Sequence, residues 1–412
     1  MKNLIELKNV VKKVCGGSLS FREAALISGY TEVHIRNLTK TYPVYGDAIF
    51  IHKNKGKKPP TTVPVNERRH IIKIYKDDFS GCNFSFFARI VTDPDYGYDI
   101  AHYSDKTFYN ILTEAGLKSP ENRKVKTPDF HRIRPRKLYE GELLQIDATP
   151  YQWFEWSGDT TYYALHGSID DATGKLTALY MCENECLYGY FELVRQTFYK
   201  TGGGHPVAIY SDRAAIFKTP EKKDLTVQEQ LAGLTRGDTQ WQRAMKELGV
   251  KQVLAYSPQA KGRVERMWKT IQGRLCWYFK KYHIKTVEEA NKFLREKYIE
   301  IFNKEFAREP AEKMCVYHVT GLDPEYVLCA RISRRVTHAG YLSFEGYHWN
   351  VDRALCGQFV ELCVNEHGLK VYYKSRWWPV SLADKDFTGT STQVLDNIIY
   401  KYFTCDMKIK TA

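Results

Sequence analysis

The spacing of apolar positions changes several times along the chain, and each change marks a change of element. Residues 4–42 keep a helical period in three pieces. Leu4–Val14 is amphipathic and is broken at Gly16-Gly17; Ser20 can cap Phe21–Ser28; Gly29-Tyr30 then turns the chain into Thr31–Tyr42. A second set follows: Glu67–Asp77 behind a possible cap at Asn66, Phe84–Val91, and Asp105–Ala115 between Ser104 and Gly116. From residue 143 the period shortens. Leu143–Ala148, Tyr162–Ile169, Leu176–Cys182, Val207–Tyr210 and Gln252–Tyr256 read as strands. Helical patterns at Tyr188–Thr201 and Trp241–Leu248, and one beginning near Val264, alternate with the later strands. This order predicts an α/β core: a mixed five-stranded sheet with helices on both faces. Thr286–Phe306 is helical again. Residues 331–380 alternate as Val336–Leu342, Phe344–Val351, Gln358–Val364 and Leu369–Trp377, a pattern that predicts a small β-barrel.

Charge sharpens this picture. The net charge is +13, which suits a nucleic-acid partner. Residues 1–137 hold 25 Lys and Arg against 14 Asp and Glu, so +11 of the excess lies ahead of the sheet. In the first helical set, Ala24, Ala25 and Gly29 permit the close crossing that a helix-turn-helix needs. Ile35, Leu38 and Tyr42 face inward, leaving His34, Arg36, Asn37 and Lys40 for base edges and phosphates; an ordinary solvated face is the competing reading. The run 53–60 is basic and ends in proline, so Lys53, Lys55, Lys57 and Lys58 read as a DNA-tracking arm or a solvated hinge. Lys106, Tyr109 and Asn110 are presented by the last helix of the second set, which reads as a second helix-turn-helix. An extended basic strap carries Arg134 and Arg136 up to the first strand of the sheet.

The ten cysteines form no CxxC pair. Cys182 and Cys186 enclose Glu183-Asn184-Glu185 with no histidine nearby in sequence, so all ten read as free thiols of a reducing compartment. No long apolar run and no signal peptide appear, which predicts a cytoplasmic protein without a membrane partner.

The candidate chemistry sits at element ends. Asp147 leaves the apolar run Leu143–Ile146, and Asp212 leaves Val207–Tyr210. Glu265 occupies the first turn of the helix that follows Ser257-Pro258, where free N–H groups and the helix dipole favour a carboxylate. Strand ends are where an open α/β sheet holds its ligands. Two carboxylates behind buried strands are costly unless paired with cations or metal. Lys261, Arg263 and Arg266 surround Glu265 with positive charge suited to a polyanion, and Gly262 is expected at a positive-φ turn. Asp170 and Asp171 begin an Asp-Asp-Ala-Thr-Gly hairpin turn. On that reading Asp171→Asn should cost little.

The segments LLQIDATPYQWFEW (143–156), IDDATGKLTALY (169–180), YFELVRQTF (190–198), YSDRAAIF (210–217) and SPQAKGRVERMWKTIQGRL (257–275) resemble, in order, the DDE transposases with a ribonuclease-H-like integrase core, of the ISNCY insertion-sequence type. The resemblance implies that Asp147, Asp212 and Glu265 are the catalytic, metal-holding triad. Asp212 and Glu265 are separated by 52 residues, a longer interval than in many integrase cores, which predicts an insertion at about 218–239. The His/Cys zinc module that precedes retroviral integrase cores has no counterpart here.

The domains expected are a helix-turn-helix at 1–50, a basic linker at 51–65, a second helical domain at 66–118, a basic strap at 119–138, the ribonuclease-H-like core at 139–283, a helical connector at 284–330, the β-barrel at 331–385 and a tail at 386–412. The implied function is binding of an insertion sequence's terminal inverted repeats, followed by metal-dependent cleavage and strand transfer into target DNA. Two Mg2+ per site are implied, with Mn2+ as substitute, and a homodimer or larger oligomer on DNA in the bacterial nucleoid. A nuclease that only hydrolyses, or a regulator with an inactive core, are the alternatives; paired helix-turn-helix units and a complete triad weigh against them.

Overall fold

The computed structural model describes residues 4–51, 62–120, 134–200, 204–218, 238–255, 262–365, 368–383 and 391–399. It falls into two compact units, Met1–Ile74 and Tyr75–Ala412. The basic arm at 53–60 and most of the expected insertion lie outside the described residues. Among the described residues no helix is long and apolar enough to cross a membrane.

In the first unit, α1 (Leu4–Cys15), α2 (Phe21–Ser28) and α3 (Glu32–Tyr45) close around Leu7, Val10, Val11, Ala24 and Ile35. Ser20 and Glu23 form a reciprocal capping box, and Gly29 at φ 67° closes α2. Thr31 caps α3 by accepting from the His34 N–H. That helix runs three residues beyond the expected end at Tyr42, straight through Pro43. Proline removes the N–H that the Thr39 carbonyl would accept. The Cys15 thiol sits 3.9 Å from that carbonyl and replaces the donor.

The second unit centres on five strands: β1 (Leu143–Tyr151), β2 (Tyr163–Asp170), β3 (Leu176–Cys182), β4 (Ala208–Ser211) and β5 (Lys251–Leu254). Their order in the sheet is β3–β2–β1–β4–β5. The first three pair antiparallel, while β1–β4 and β4–β5 pair parallel. Strand alternation divides β1 between two faces. Leu144 and Ile146 enter the apolar cluster with α4 (Leu187–Arg195) and α5 (Gln240–Glu247). Gln145, Asp147 and Thr149 turn to the opposite face, against α6 (Gly262–Gln272). That helix buries Val264, Met267, Trp268 and Ile271, an i, i+3, i+4, i+7 stripe.

Helices Phe84–Thr92 and Asp105–Glu114 pack around an aromatic cluster in the same unit. Phe79 stacks on Trp277 at 4.9 Å, and Phe86 meets the Trp277 and Tyr278 rings edge-on. Beyond the sheet, Thr286 caps a helical stretch that continues to Phe306 with one π turn at Leu294–Tyr298.

The C-terminal region forms two antiparallel sheets. One holds β6 (Ala330–Arg335), β9 (Phe359–Asn365), β10 (Gly368–Tyr373) and β11 (Arg376–Pro379); the other holds β7 (Tyr341–Phe344), β8 (Tyr347–Asn350) and β12 (Ser381–Leu382). Two segments expected as single strands, Phe344–Val351 and Leu369–Trp377, are instead interrupted by hairpin turns. They turn at Glu345-Gly346 and at Lys374-Ser375, whose φ angles are all positive. Lys and Ser seldom take that conformation, so the second turn carries no sequence signal. Its apolar side chains join the cluster that contains α4 and α5. Arg331 clamps the same junction: its guanidinium lies 4.1 Å over the Tyr326 ring and pairs with Glu247 on α5. Arg331→Met should therefore lower Tm by a few degrees, because the buried guanidinium gives up its place over the Tyr326 ring and its pair with the exposed Glu247; unchanged melting would show that these contacts contribute nothing.

Candidate active site

Asp147, expected at the exit of its strand, lies within β1, which continues to Tyr151 as its ladder with β2 runs on; Asp212 directly follows the neighbouring parallel strand β4. The ladder pairs Leu143 with Ala208, Leu144 with Ile209 and Gln145 with Tyr210. Extended by two residues, that register sets Asp147 opposite Asp212. Burial, then the neighbouring Glu185, and to a lesser extent Asp147 and Asp212 raise the pKa of Tyr190. Asp212 closes a local turn by accepting from the Ala214 N–H at 2.9 Å. Asp147 accepts from the Trp268 indole N–H at 3.1 Å.

Glu265 is exposed in the first turn of α6. Three side-chain bonds lay that helix along β1. The Val264 N–H donates to Gln145 Oε1 (3.3 Å), Trp268 Nε1 to Asp147 (3.1 Å), and Gln272 Nε2 to Thr149 Oγ1 (3.0 Å). Gly167, opposite Asp147 on β2, lies under the Trp268 ring. Gly262 is the first residue of α6 and does not take positive φ, so it begins the helix instead of making a left-handed turn.

The donor set suits a hard divalent cation: three carboxylates, one from within β1, one just past the end of β4 and one from a helix start. Asp147, Asp212 and Glu265 do not gather their carboxylate oxygens within 4.8 Å of one another in this structure. Among the described residues, that distance is met by His166, Cys182 and Cys186, all buried. The fold thus brings a histidine to the cysteine pair that has none nearby in sequence. Its ring is committed, however: Nε2 accepts from the Cys186 N–H at 3.2 Å, and Nδ1 lies 3.3 Å from the Tyr180 carbonyl. Burial lowers its pKa to about 4, so the imidazole is a neutral core group.

The hairpin acids depart from the expectation of a tolerant turn. Asp170 is fully buried and accepts from the N–H groups of Gly141 and Thr173 and from the Thr173 hydroxyl. Burial raises its pKa. Asp171 is also fully buried; it accepts from Gln145 Nε2 (2.7 Å) and the Lys137 N–H (2.9 Å) and pairs with Arg134 and Arg263. Turn propensity located these residues but said nothing about their burial. A signal for the network was present in Gln145, the one polar residue within the apolar run Leu143–Ile146.

The cations expected on DNA separate into two groups. Arg134, Arg136 and Arg263 hold the hairpin: Arg136 donates to the Asp171 and Ala172 carbonyls, and Arg263 also reaches the Arg134 carbonyl. Arg266 is exposed, with its Nε on the Gly262 carbonyl. His34, Arg36, Asn37 and Lys40 are all exposed on α3, with Arg36 over the Phe21 ring and His34 stacked on Tyr30. Lys106, Tyr109 and Asn110 are exposed on their helix. Lys53, Lys55, Lys57, Lys58 and Lys261 lie outside the described residues.

No family model matches the chain. It is 32% identical over 398 residues to "Putative transposase y4bF" of Sinorhizobium fredii, covering 94% of this chain and 82% of that protein. It is 28% identical over 364 residues to the transposase for insertion sequence IS1202 of Streptococcus pneumoniae, covering 81% of this chain and 74% of that one. Among solved structures it is similar to a chain of the simian T-cell lymphotropic virus intasome bound to the PP2A regulatory subunit B56 gamma. That match has 16% identity, a TM-score of 0.31, and covers 77% of this chain and 100% of that chain.

Proposed function

The chain belongs to the bacterial transposases, and from that premise we propose that Asp147, Asp212 and Glu265 form the DDE site with which it cuts and joins DNA. The observation that carries this reading is the parallel pairing of β1 with β4, which sets Asp147 beside Asp212, with the Glu265 helix bonded along β1. The 3-2-1-4-5 strand order, antiparallel then parallel, supports a ribonuclease-H-like core. The C-terminal sheets support a small barrel, and α2 and α3 a helix-turn-helix.

Transposases of this kind use divalent metal ions. Mg2+, with Mn2+ as substitute, would supply Lewis acidity and an activated water when held by the three carboxylates, two ions to a site. Trp268 orients Asp147 through its indole N–H. Arg266, exposed one residue beyond Glu265, is available to a DNA phosphate. Arg36, Asn37, Lys40 and His34 read the inverted repeat, while the basic arm and Lys106, Tyr109 and Asn110 add contacts upstream. The target is DNA, and at least two copies act together because two element ends are joined; light scattering of the complex with end DNA should give a dimer or larger.

Purified protein should cleave DNA carrying its element ends only with Mg2+ or Mn2+ present, and EDTA should stop it. Arg36→Ala or Asn37→Ala should reduce preference for the repeat over random DNA by about 1–3 kcal/mol. Retention of full preference by both variants would remove α3 as the reader.

A further inference from the structure

We infer that Asp171 is a positioning residue for Glu265, acting through Gln145 and Arg263; the inference rests on the proposed role of Glu265 in the active site. The geometry is a branched chain of bonds. Asp171 Oδ1 receives the Gln145 amide N–H at 2.7 Å and the Arg263 guanidinium at 2.9 Å. The Gln145 carbonyl then accepts the Val264 N–H at 3.3 Å. Both branches end on the two residues that immediately precede Glu265. A third branch, from Arg134 and the Lys137 N–H, ties in the strap ahead of the core.

The chemistry of the amide gives the chain its direction. A glutamine side chain presents NH2 on one side and a carbonyl on the other. A carboxylate accepts only, so Asp171 fixes the NH2 toward itself and the carbonyl toward α6. The first N–H groups of a helix have no partner within the helix. The turned amide satisfies one of them and holds the helix start against β1. Burial first, and then the neighbouring Arg134, Arg136 and Arg266, lower the proton affinity of Arg263, while Asp171 raises it. Asp171 is a fully buried carboxylate among these arginines, and its side chain pairs with Arg134 and Arg263. Without its charge, Arg263, whose side chain is 11% exposed, loses its anion and the helix start loses both anchors.

Asp171→Asn keeps the shape but brings a second NH2 group to a cluster made only of donors. Its oxygen cannot serve both Gln145 and the Lys137 N–H, so the Gln145 amide is no longer held in one orientation. Gln145→Met removes the relay while leaving the Asp171 ion pairs in place. Both variants in the full chain should melt as folded proteins and bind the inverted repeat within twofold of the parent. Each should need several-fold more Mg2+ for half-maximal end cleavage, and each should bind Mn2+ several-fold more weakly, read directly from the paramagnetic signal of free Mn2+ without DNA. Should Asp171→Asn not fold, Gln145→Met decides alone. Unchanged Mg2+ and Mn2+ midpoints in the folded variants, beside an inactive Glu265→Gln, overturn the positioning role and leave the active-site reading standing. A Glu265→Gln chain that still cleaves overturns both.

Discussion

Asp147→Asn, Asp212→Asn and Glu265→Gln should each abolish end cleavage and strand transfer while the chain goes on binding its inverted repeat. In the proposed site the three side chains come from different elements and act as one metal-holding unit, so removing one carboxylate should remove the activity. A loss of at least about a thousandfold is expected, or about 4 kcal/mol of transition-state stabilisation. Groups that act as a unit are strongly non-additive, so a double variant should be little worse than a single one. Folding should survive, because these changes are nearly isosteric and take one charge away from a region where Tyr190 already feels both aspartates. Repeat binding should persist, because Arg36 and Asn37 belong to the other compact unit. Labelled-end cleavage gels and mobility shifts on the same samples separate the two activities. A variant that cleaves at a tenth of the parental rate would take its residue out of the site.

The sequence made the frame of this site legible and left its supports dark. Strand patterns placed β3 to the residue and the other four strands of the sheet within a few residues; the largest miss is β1, which runs on past its apolar stretch to Tyr151 through its pairing with β2. Asp147, Asp212 and Glu265 stood out as acids at the ends of apolar or helical patterns. What fixes them in space depends on partners far apart in the chain. Trp268 reaches Asp147 across 121 residues, and Val264 reaches Gln145 across 119. No local period encodes such pairs. Asp171 shows the same limit from the other side: Asp-Asp-Ala-Thr-Gly is ordinary turn chemistry, and its burial comes from a strap and a helix start that lie 34 residues before it and 92 after it. The Lys374-Ser375 turn was hidden because its residues rarely take positive φ.

The contact between Gly167 and Trp268 allows stability and chemistry to be separated. A Cβ added at Gly167 would stand 2.6 Å from Trp268 Cη2 and 3.0 Å from Met267 Cε. Both side chains are buried on α6, so neither can swing into solvent. Gly167→Ala should therefore push α6 off the sheet, at a cost of about 2 kcal/mol and several degrees of Tm. Trp268 also holds Asp147 through its indole N–H. Cleavage should then fall more than tenfold at temperatures where the variant is fully folded. Trp268→Phe in the Gly167→Ala background removes the clashing end of the indole and makes room for the new methyl group. It does not restore the N–H to Asp147. The double variant is expected to recover most of the lost Tm and little of the lost cleavage, with repeat binding intact throughout. Recovery of both together would mean that Trp268 only fills space, and that Asp147 needs no help from the helix that carries Glu265.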